Sequence, residues 1–296
     1  MGKETIMLAA TFSPEKAQYP LMLSEKIDGV AADFYCVDNK GSIEWRCRSR
    51  DNKPVLSVQH ILDCLTNIVY PIKGLHIIGE LHIQGKDFKD ISGISRRQVA
   101  DDDTELLRLN IYDLYIEGQE DTDYIKRYDS IIKHVPNAMS YPIRRVPSRY
   151  VNNPQEFDAE YARIVKANNS KRPTGCEGII VRIPTGKDSY YRVAKRPKGF
   201  AKLKAIETID LPIVGFEEAA DAKTNAPLGM VGRLVAKYKG KDIGVGPGKL
   251  THKERIDIFD NWPRDKGKTA EIAYMPDDSY VALREPRFWY WRPDKD

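Results

Sequence analysis

The sequence predicts an α+β fold in two parts, in which a larger mixed segment precedes a small β-barrel. Its 296 residues are enough for one large domain or two ordinary ones. Strand-like runs and three helical patterns alternate along the first part of the chain. From about Ile206, short strand-like runs surround a single helix, which is typical of a small barrel. We therefore place a boundary near Glu207, with domains at 1–206 and 207–296.

The first segment is predicted to be rich in strands. The runs from Gly29 to Val37 and from Ile43 to Arg48 predict a hairpin, because the turn-forming residues 38–41 separate them. Further strands are predicted at 75–83, 106–115 and 179–183, and helices at 58–69, 122–134 and 154–167.

The second segment predicts strands at 211–216, 229–238 and 269–274 and one helix at 251–261. Thr251 is the predicted N-cap of that helix. An aromatic run, Arg287 to Trp291, predicts a last strand that anchors the charged tail.

Composition bounds the class of protein. The chain is 41% apolar and 30% charged, and the excess of 47 basic over 43 acidic residues gives a net charge of +4. That excess is too small to predict nucleic-acid binding by itself. The four cysteines form no CxxC pair, which argues against structural zinc and fits a reducing compartment. Without an apolar run of membrane-spanning length or a signal core, we expect an intracellular protein with no membrane partner.

The run Lys26-Ile27-Asp28-Gly29 has two interpretations. Asp-Gly is common turn chemistry, so a turn with a solvated lysine is the better interpretation of the run taken alone. In the functional interpretation, Lys26 is an amine nucleophile. It would then need surroundings that lower its pKa, either by burial or by a nearby cation such as a metal ion.

Two glutamates lie beside apolar strands, in Gly79-Glu80-Leu81 and in Glu177-Gly178-Ile179. Taken alone, each is explained slightly better as a surface glutamate or a member of a structural ion pair than as a carboxylate that faces a ribose hydroxyl or a metal. Together, Glu80 and Glu177 could hold a divalent cation through oxygen ligands and water.

Lys202 and Lys204 have the period-two spacing that places both ammonium groups on one face of a strand. A solvated edge strand explains such a pair, and phosphate binding is the functional alternative. The surrounding basic residues would contact a nucleic-acid backbone; they are Arg182, Lys187, Arg192, Lys195, Arg196 and Lys198.

The order of these pieces is more specific than any one of them. The series is Lys-x-Asp-Gly, Ser49-Arg50, Gly-Glu-Leu, Tyr112-Asp113, Glu-Gly, Lys-x-Lys and, at the end, Arg292-Pro293-Asp294-Lys295. It resembles the motif series of the covalent nucleotidyltransferases, namely ATP-dependent DNA ligases, RNA ligases and mRNA capping enzymes. From about Leu8 to its last residues, the chain resembles a minimal DNA ligase of the phage and virus type.

The resemblance implies an adenylation (nucleotidyltransferase) domain of antiparallel sheets and helices at 1–206 and an OB-fold barrel at 207–296. It also implies roles at the nucleotide. Lys26 would attack the α-phosphate of ATP, Asp28 would fix the ribose and the lysine, and Tyr112 would stack on the adenine. Further contacts to ATP are implied for Glu25, Glu80, Lys202 and Lys204.

The resemblance implies a metal ion and a DNA partner as well. Glu177 and Glu80 would bind Mg²⁺, with Mn²⁺ as a possible substitute. Arg50 and Arg192 match positions that contact phosphates at the nick in duplex DNA. Arg292, Asp294 and Lys295 would orient the pyrophosphate leaving group in the first step only. We expect a monomer.

One position departs from the family pattern, because Ala31 stands two residues after the motif glycine where the family usually has arginine. Weakened sealing, replacement by a neighbour such as Arg46, or an engineered substitution are all open. The alternatives to a DNA ligase are an mRNA guanylyltransferase, an RNA ligase and, from another class, a non-catalytic OB protein that binds single strands.

Overall fold

The computed structural model describes residues 4–135, 142–169, 177–275 and 282–295. The chain divides into two compact units, Met1–Lys204 and Ala205–Asp296. Cys36, Cys47 and Cys64 are free thiols, and Cys176 lies outside the described residues. No helix in the described part is long and apolar enough to span a membrane.

The first unit contains ten strands and four α-helices among its described residues. In chain order these are β1 (Ala10–Thr11), β2 (Leu21–Glu25), β3 (Val30–Asn39), β4 (Ser42–Ser49), α1 (Gln59–Ile68), β5 (Leu75–His82), α2 (Phe88–Ser95), β6 (Arg108–Ile116), α3 (Tyr124–His134), β7 (Ile143–Arg145), β8 (Ser148–Val151), α4 (Pro154–Asn169), β9 (Gly178–Arg182) and β10 (Phe200–Lys204).

These strands form two five-stranded sheets, with the orders β1-β10-β9-β2-β8 and β4-β3-β5-β6-β7. Pairing is antiparallel except between β1 and β10 and between β6 and β7. An apolar cluster joins the sheets. In it, Ile78 and Tyr115 from the second sheet pack with Phe200 from the first, together with Ile6 and Met7. The sheets therefore face each other across a shared core, which is where the candidate site lies.

Each sheet packs helices on its other face. The second sheet buries Phe34, Ile77 and Leu109 against α1, whose Ile61 and Leu65 are fully buried. The first sheet buries Leu23 and Val181 in a separate cluster, in which α4 supplies Phe157 and Ile164. Apolar burial of this kind is the main term that stabilises both layers.

The hairpin and the strands and helices predicted for the first segment are present, with ends shifted by one or two residues. The strands β1, β2, β7 and β8 and the helix α2 escaped prediction. All of β2 except Glu25 is buried, so it lacks the alternation that marks a half-buried strand. Helix α2 is short and contains Ser92, Gly93 and Ser95, and it depends on an N-cap in which Asp87 accepts from the Asp90 N–H at 2.9 Å.

Among its described residues, the second unit has two α-helices and one five-stranded sheet, whose strand order is β13-β12-β11-β14-β15. Its elements are β11 (Glu207–Ala220), β12 (Pro227–Tyr238), β13 (Lys241–Val245), α5 (His252–Asp260), α6 (Trp262–Asp265), β14 (Thr269–Met275) and β15 (Arg284–Trp291). The predicted cap is confirmed, since Thr251 and Glu254 form a capping box at the start of α5.

The predicted barrel is not closed by a regular ladder among the described residues. Among the described residues, the edge strands β13 and β15 form no ladder with each other, and Gly246, directly after β13, makes an isolated parallel bridge with Arg287. Backbone hydrogen bonds on either side of it, from Gly246 N–H to Pro286 O and from Phe288 N–H to Gly246 O, hold this point at 2.9 and 3.0 Å. The described part of the unit is therefore a five-stranded sheet whose edges meet without a continuous ladder.

Candidate active site

A cleft of about 190 Å³ opens between the two sheets of the first unit. Six residues that the sequence predicts for the site line it: Glu25, Lys26, Arg50, Glu80, Tyr112 and Lys202. An apolar wall of Ile6, Met7, Leu8 and Ala9 completes it, and the sequence motifs give no sign of that wall. Charged groups thus meet an apolar surface in one concave space, as is usual for a small-molecule site.

Lys26 lies directly after β2, and strand pairing places it beside Glu177. Its backbone N–H donates to the Gly178 carbonyl at 3.0 Å, and its ammonium group donates to Oε2 of Glu177. The two side chains are only 20% and 8% exposed, so this is a largely buried ion pair. The turn with a solvated lysine is therefore wrong for this motif.

The electrostatics around Lys26 differ from the expectation. Burial lowers the pKa of Lys26, but the carboxylates of Glu177, Glu80 and Asp28 raise it by more, and the net shift of its pKa is upward. The net shift is therefore opposite to the expected lowering, because three carboxylates outweigh the desolvation of the amine. Asp28 itself is buried, and its carbonyl accepts from His82 Nδ1 at 2.9 Å.

Glu80 lies near the end of β5, opposite Ala31 of β3 and Asn110 of β6. The Asn110 amide donates to the Glu80 carbonyl at 2.9 Å and helps to hold this part of the strand. The pKa of Glu80 is raised to about 8: burial raises it most, Lys26 lowers it, the carboxylates of Glu177 and Asp28 raise it, and Arg50 lowers it. A carboxyl group in such surroundings ionises more easily when a cation is bound nearby.

The carboxylates fit a magnesium ion that is bound partly by substrate. The described part of the chain contains no group of three or more His, Cys, Asp and Glu side chains placed to hold a metal ion. Magnesium in nucleotide sites is usually held by one or two carboxylates together with substrate phosphates and water. Glu177 and Glu80, whose charges both act on Lys26, would supply the two carboxylates of such a site.

Tyr112 and Phe200 form the aromatic side of the cleft, with ring centroids 6.5 Å apart. Burial raises the pKa of the Tyr112 hydroxyl, so the side chain stays neutral. Phe200 is not part of the predicted site. Its position two residues before Lys202, on the same face of the same strand, is the signal that could have found it.

Lys202 does not lie on an edge strand. It pairs with Ile180 of β9 on one side and with Thr11 of β1 on the other, so the edge-strand interpretation is wrong for this residue. Burial and the positive charges of Lys26, Lys204 and Arg196 lower the pKa of Lys202. Lys204 lies two residues further along β10, outside the lining of the cleft.

The basic residues divide into three environments. Arg50 and Arg196 line the cleft, and Arg196 donates to the Ala9 carbonyl at 2.8 Å. Arg192 lies outside the lining and pairs with Asp121 at 2.6 Å. Arg182, grouped by sequence with the residues expected on a nucleic-acid backbone, is only 2% exposed, so that expectation is wrong for it.

The structure also bears on the missing arginine. Ala31 lines the cleft, and its neighbour Ala32 pairs with Ser49, so Arg50 lies at the same end of the β3–β4 hairpin. Arg46 pairs instead with Tyr35, further along the hairpin, and is not among the residues that line the cleft. Of the two arginines, Arg50 is therefore the one that can place its charge in the cleft beside Ala31.

The terminal motif belongs to the second unit, where its members form an ion-pair cluster. Arg292 donates to Asp294 at 3.0 and 2.9 Å and to Asp210 at 3.2 Å, and Lys295 also contacts Asp210. Its hydrogen bond to Asp294 raises the pKa of Arg292, and the same bond lowers the pKa of Asp294. Arg292, Asp294 and Lys295, which the sequence predicts to act together, thus lie in one cluster in the second unit.

The fold of this chain matches that of proteins with solved structures. No family model and no curated protein matches the chain. Among solved structures, the chain shares the fold of DNA ligases over nearly its whole length, which confirms the resemblance at the level of fold.

Three solved structures illustrate the match. A structure named "Pmar-Lig_Pre" is 20% identical, with a TM-score of 0.74, and the match covers 98% of this chain and 67% of that one. A structure from work on Lig E DNA ligases is 17% identical, with a TM-score of 0.70 and coverage of 98% and 99%. The ATP-dependent DNA ligase of bacteriophage T7, in complex with ATP, is 20% identical, with a TM-score of 0.54 and coverage of 97% and 98%.

Proposed function

We propose that this protein is an ATP-dependent DNA ligase that seals nicks in duplex DNA through a covalent AMP on Lys26. The observation that carries the proposal is the cleft, which gathers a buried lysine, carboxylates, further cations and two aromatic rings. These are the groups that a nucleotide requires: a nucleophile, countercharge for phosphates and a flat surface for the base. A ligase fold around that cleft adds support.

Residues 1–206 would then be the nucleotidyltransferase domain and residues 207–296 the OB-fold domain. Two compact units with a division near this position support the assignment. The cleft lies wholly in the first unit. The nucleotide would accordingly be bound by the first domain, and the second would contribute its terminal motif to one step.

In the first step, the Nζ atom of Lys26 attacks the α-phosphorus of ATP. A P–N bond forms, the bond to the β-phosphate oxygen breaks, and pyrophosphate leaves. Lys26 must lose a proton to attack, and Glu177, which accepts its hydrogen bond, is placed to receive it. Lys202 would neutralise charge on the phosphate oxygens, and Tyr112 would stack on the base.

A divalent cation fits this site. Held by Glu177 and Glu80 together with substrate oxygens, magnesium or manganese would withdraw negative charge from the phosphates. Asp28 would hold the ribose and the lysine, and Glu25 and Lys204 would complete the nucleotide site. Arg292, Asp294 and Lys295 would orient the pyrophosphate.

The later steps move AMP onto DNA. The 5′-phosphate at the nick attacks the phosphorus of lysyl-AMP and frees the lysine; the 3′-hydroxyl then attacks the 5′-phosphate and expels AMP. Arg50 and Arg192 would contact phosphates at the nick, and Arg50 lies where it can also substitute for the arginine absent at Ala31. We expect the enzyme to act as a monomer, inside the cell, in DNA replication, repair or recombination.

A sealing assay tests the proposal. The protein is incubated with magnesium, ATP and a duplex that carries one 5′-phosphorylated nick, and ligated strand is measured against the same reaction with GTP. We expect ligation with ATP alone. Covalent labelling from GTP instead would indicate a guanylyltransferase, and sealing of RNA but not DNA would indicate an RNA ligase. Salt-sensitive binding to single strands without nucleotide labelling would indicate the non-catalytic OB protein.

A further inference from the structure

A buried cluster of charges lies directly behind the aromatic side of the cleft. Its members are Asp113 of β6, Arg127 of α3 and Arg182 of β9, each no more than 2% exposed. Asp113 accepts from Arg127 Nε at 2.8 Å and from Arg182 Nη1 at 2.7 Å. Burial raises the pKa of Asp113, but the two guanidinium groups lower it by more, so the carboxyl group stays ionised.

The N–H donors of the two arginines have different numbers of hydrogen-bond acceptors. Arg127 forms two bonds to Asp113 and donates to the carbonyls of Thr122 and Ser189. Arg182 forms one bond to Asp113, and its Nη2 group is buried with no hydrogen-bond partner among the described residues. A buried donor without an acceptor is costly, so hydrogen bonding alone does not explain why an arginine occupies this position.

The other contacts of Arg182 are to aromatic rings. Its guanidinium carbon lies 4.0 Å from the centroid of Phe200, 4.3 Å from that of Tyr124 and 5.9 Å from that of Tyr112. Phe200 and Tyr112 are the two aromatic residues that line the cleft. Arg127, in contrast, lies 5.6 Å from Tyr124 and from Tyr191, neither of which lines the cleft.

We propose that Arg182 is a positioning residue that holds the Tyr112 and Phe200 rings in place for the planar base of the bound nucleotide. A cation against the face of a ring restricts the tilt of that ring, and bonding to Asp113 fixes the cation. The nucleotide then meets rings that are already placed, so less conformational entropy is lost when the base binds. This inference rests on the proposed function, since it concerns the nucleotide site of that function.

Arg127 provides a matched control, because it bonds the same carboxylate and is equally buried but touches neither ring of the cleft. Arg182→Lys and Arg127→Lys both keep a positive charge beside Asp113 and both disturb the cluster. A purely structural role predicts similar effects of the two substitutions on nucleotide binding. A positioning role predicts that only the substitution at Arg182 weakens recognition of the base.

The experiment measures how tightly the full chain binds the α,β-methylene analogue of ATP, which cannot transfer AMP. Magnesium is present in every measurement. We expect Arg182→Lys to raise the Kd by about tenfold, because a compact ammonium group beside Asp113 cannot lie against both rings as the planar guanidinium group does. Arg127→Lys should change the Kd by less than about threefold, even where both variants lose similar thermal stability. Inorganic tripolyphosphate, which has no base, should bind to all three proteins alike.

Equal weakening by the two substitutions, or equal weakening for the analogue and tripolyphosphate, would overturn the inference. If Arg182→Lys does not fold, Phe200→Leu provides the second measurement: it should weaken the analogue and spare tripolyphosphate, and no change in either ligand would also overturn the inference. A parent protein that binds neither ligand would overturn the proposed function together with this inference.

Discussion

The ammonium group of Lys26 donates a hydrogen bond to the Glu177 carboxylate, and the two residues adjoin neighbouring strands of one sheet. This pair has two consequences for the proposed chemistry. The amine is held in its charged form, because the surrounding carboxylates raise its pKa. The same carboxylate is a predicted metal ligand, so the lysine and the cation would both contact Glu177.

Replacing Glu177 by glutamine tests this relationship. Glu177→Gln keeps the shape and an acceptor for Lys26 but loses the negative charge. We expect transfer of AMP from ATP to the protein to slow by about a hundredfold or more, as expected for the loss of a group that acts on developing charge. The rate of labelling at saturating magnesium is the measurement. Glu160→Gln, which removes a carboxylate on α4 paired with Arg163, is the control and should label at the parental rate.

A substitution in the terminal motif should slow self-adenylation and spare the later steps. Arg292→Ala should slow self-adenylation by about tenfold or more, because it removes a cation from the proposed pyrophosphate site. Sealing of DNA that already carries AMP should change by less than about threefold, since no pyrophosphate leaves in that reaction. Arg233→Ala removes an exposed arginine of the same unit, paired with Glu217, and should leave both rates unchanged. Equal losses in the two assays would contradict the role given to Arg292.

The buried cluster predicts a pH dependence of stability. The pKa of Asp113 is lowered in the folded protein, so its contribution is present above the unfolded pKa of about 3.9 and is lost as the pH falls below that value. Asp113→Asn should lower the free energy of unfolding by about 3 kcal/mol at pH 7, because it breaks a buried ion pair. Urea unfolding at pH 7 and below pH 4 should show this difference shrinking in acid. A difference that stays constant would contradict the ionised state.

A side chain at Gly29, the glycine of the Lys-x-Asp-Gly motif, is expected to clash with its surroundings. A Cβ atom at Gly29 would collide with the Leu81 carbonyl and lie 2.9 Å from Cγ of Glu80. Gly29→Ala should therefore cost about 1–3 kcal/mol and displace the strand that carries Glu80. Gly93→Ala, in helix α2, has open space and should stabilise the protein by about 0.5–1 kcal/mol. Thermal unfolding of both variants is the measurement, and equal midpoints would contradict the predicted collision.

The sequence predicts the charged part of the cleft well, because the order of the motifs places Lys26, Glu80 and Lys202 together. It does not predict the upward shift of the Lys26 pKa, since Glu177 is 151 residues away and meets the lysine only through strand pairing. The burial of Arg182 is equally hidden, because a basic residue at the end of a strand is usually exposed.

The fold, too, has some elements that the sequence predicts and others that depend on contacts between distant segments. The hairpin of β3 and β4 is readily predicted because turn-forming residues separate its strands, whereas the buried β2 and the apolar wall formed by Ile6 to Ala9 depend on the packing of one sheet against the other. The incomplete closure of the second sheet is also a property of pairing in space, because its described edges meet at the isolated bridge between Gly246 and Arg287 and not along a ladder.

The most direct test of the account is to locate the AMP. The protein is labelled with α-³²P-ATP and magnesium, digested with trypsin, and the labelled peptide is identified by mass spectrometry. We expect a peptide that spans residues 17–40, because AMP on Lys26 blocks cleavage there, with a bond that is labile in acid as a P–N linkage is. Lys26→Ala should lose the label, and the exposed-lysine control Lys89→Ala should keep it. Label on another peptide, or undiminished label in Lys26→Ala, would contradict the assignment of the nucleophile.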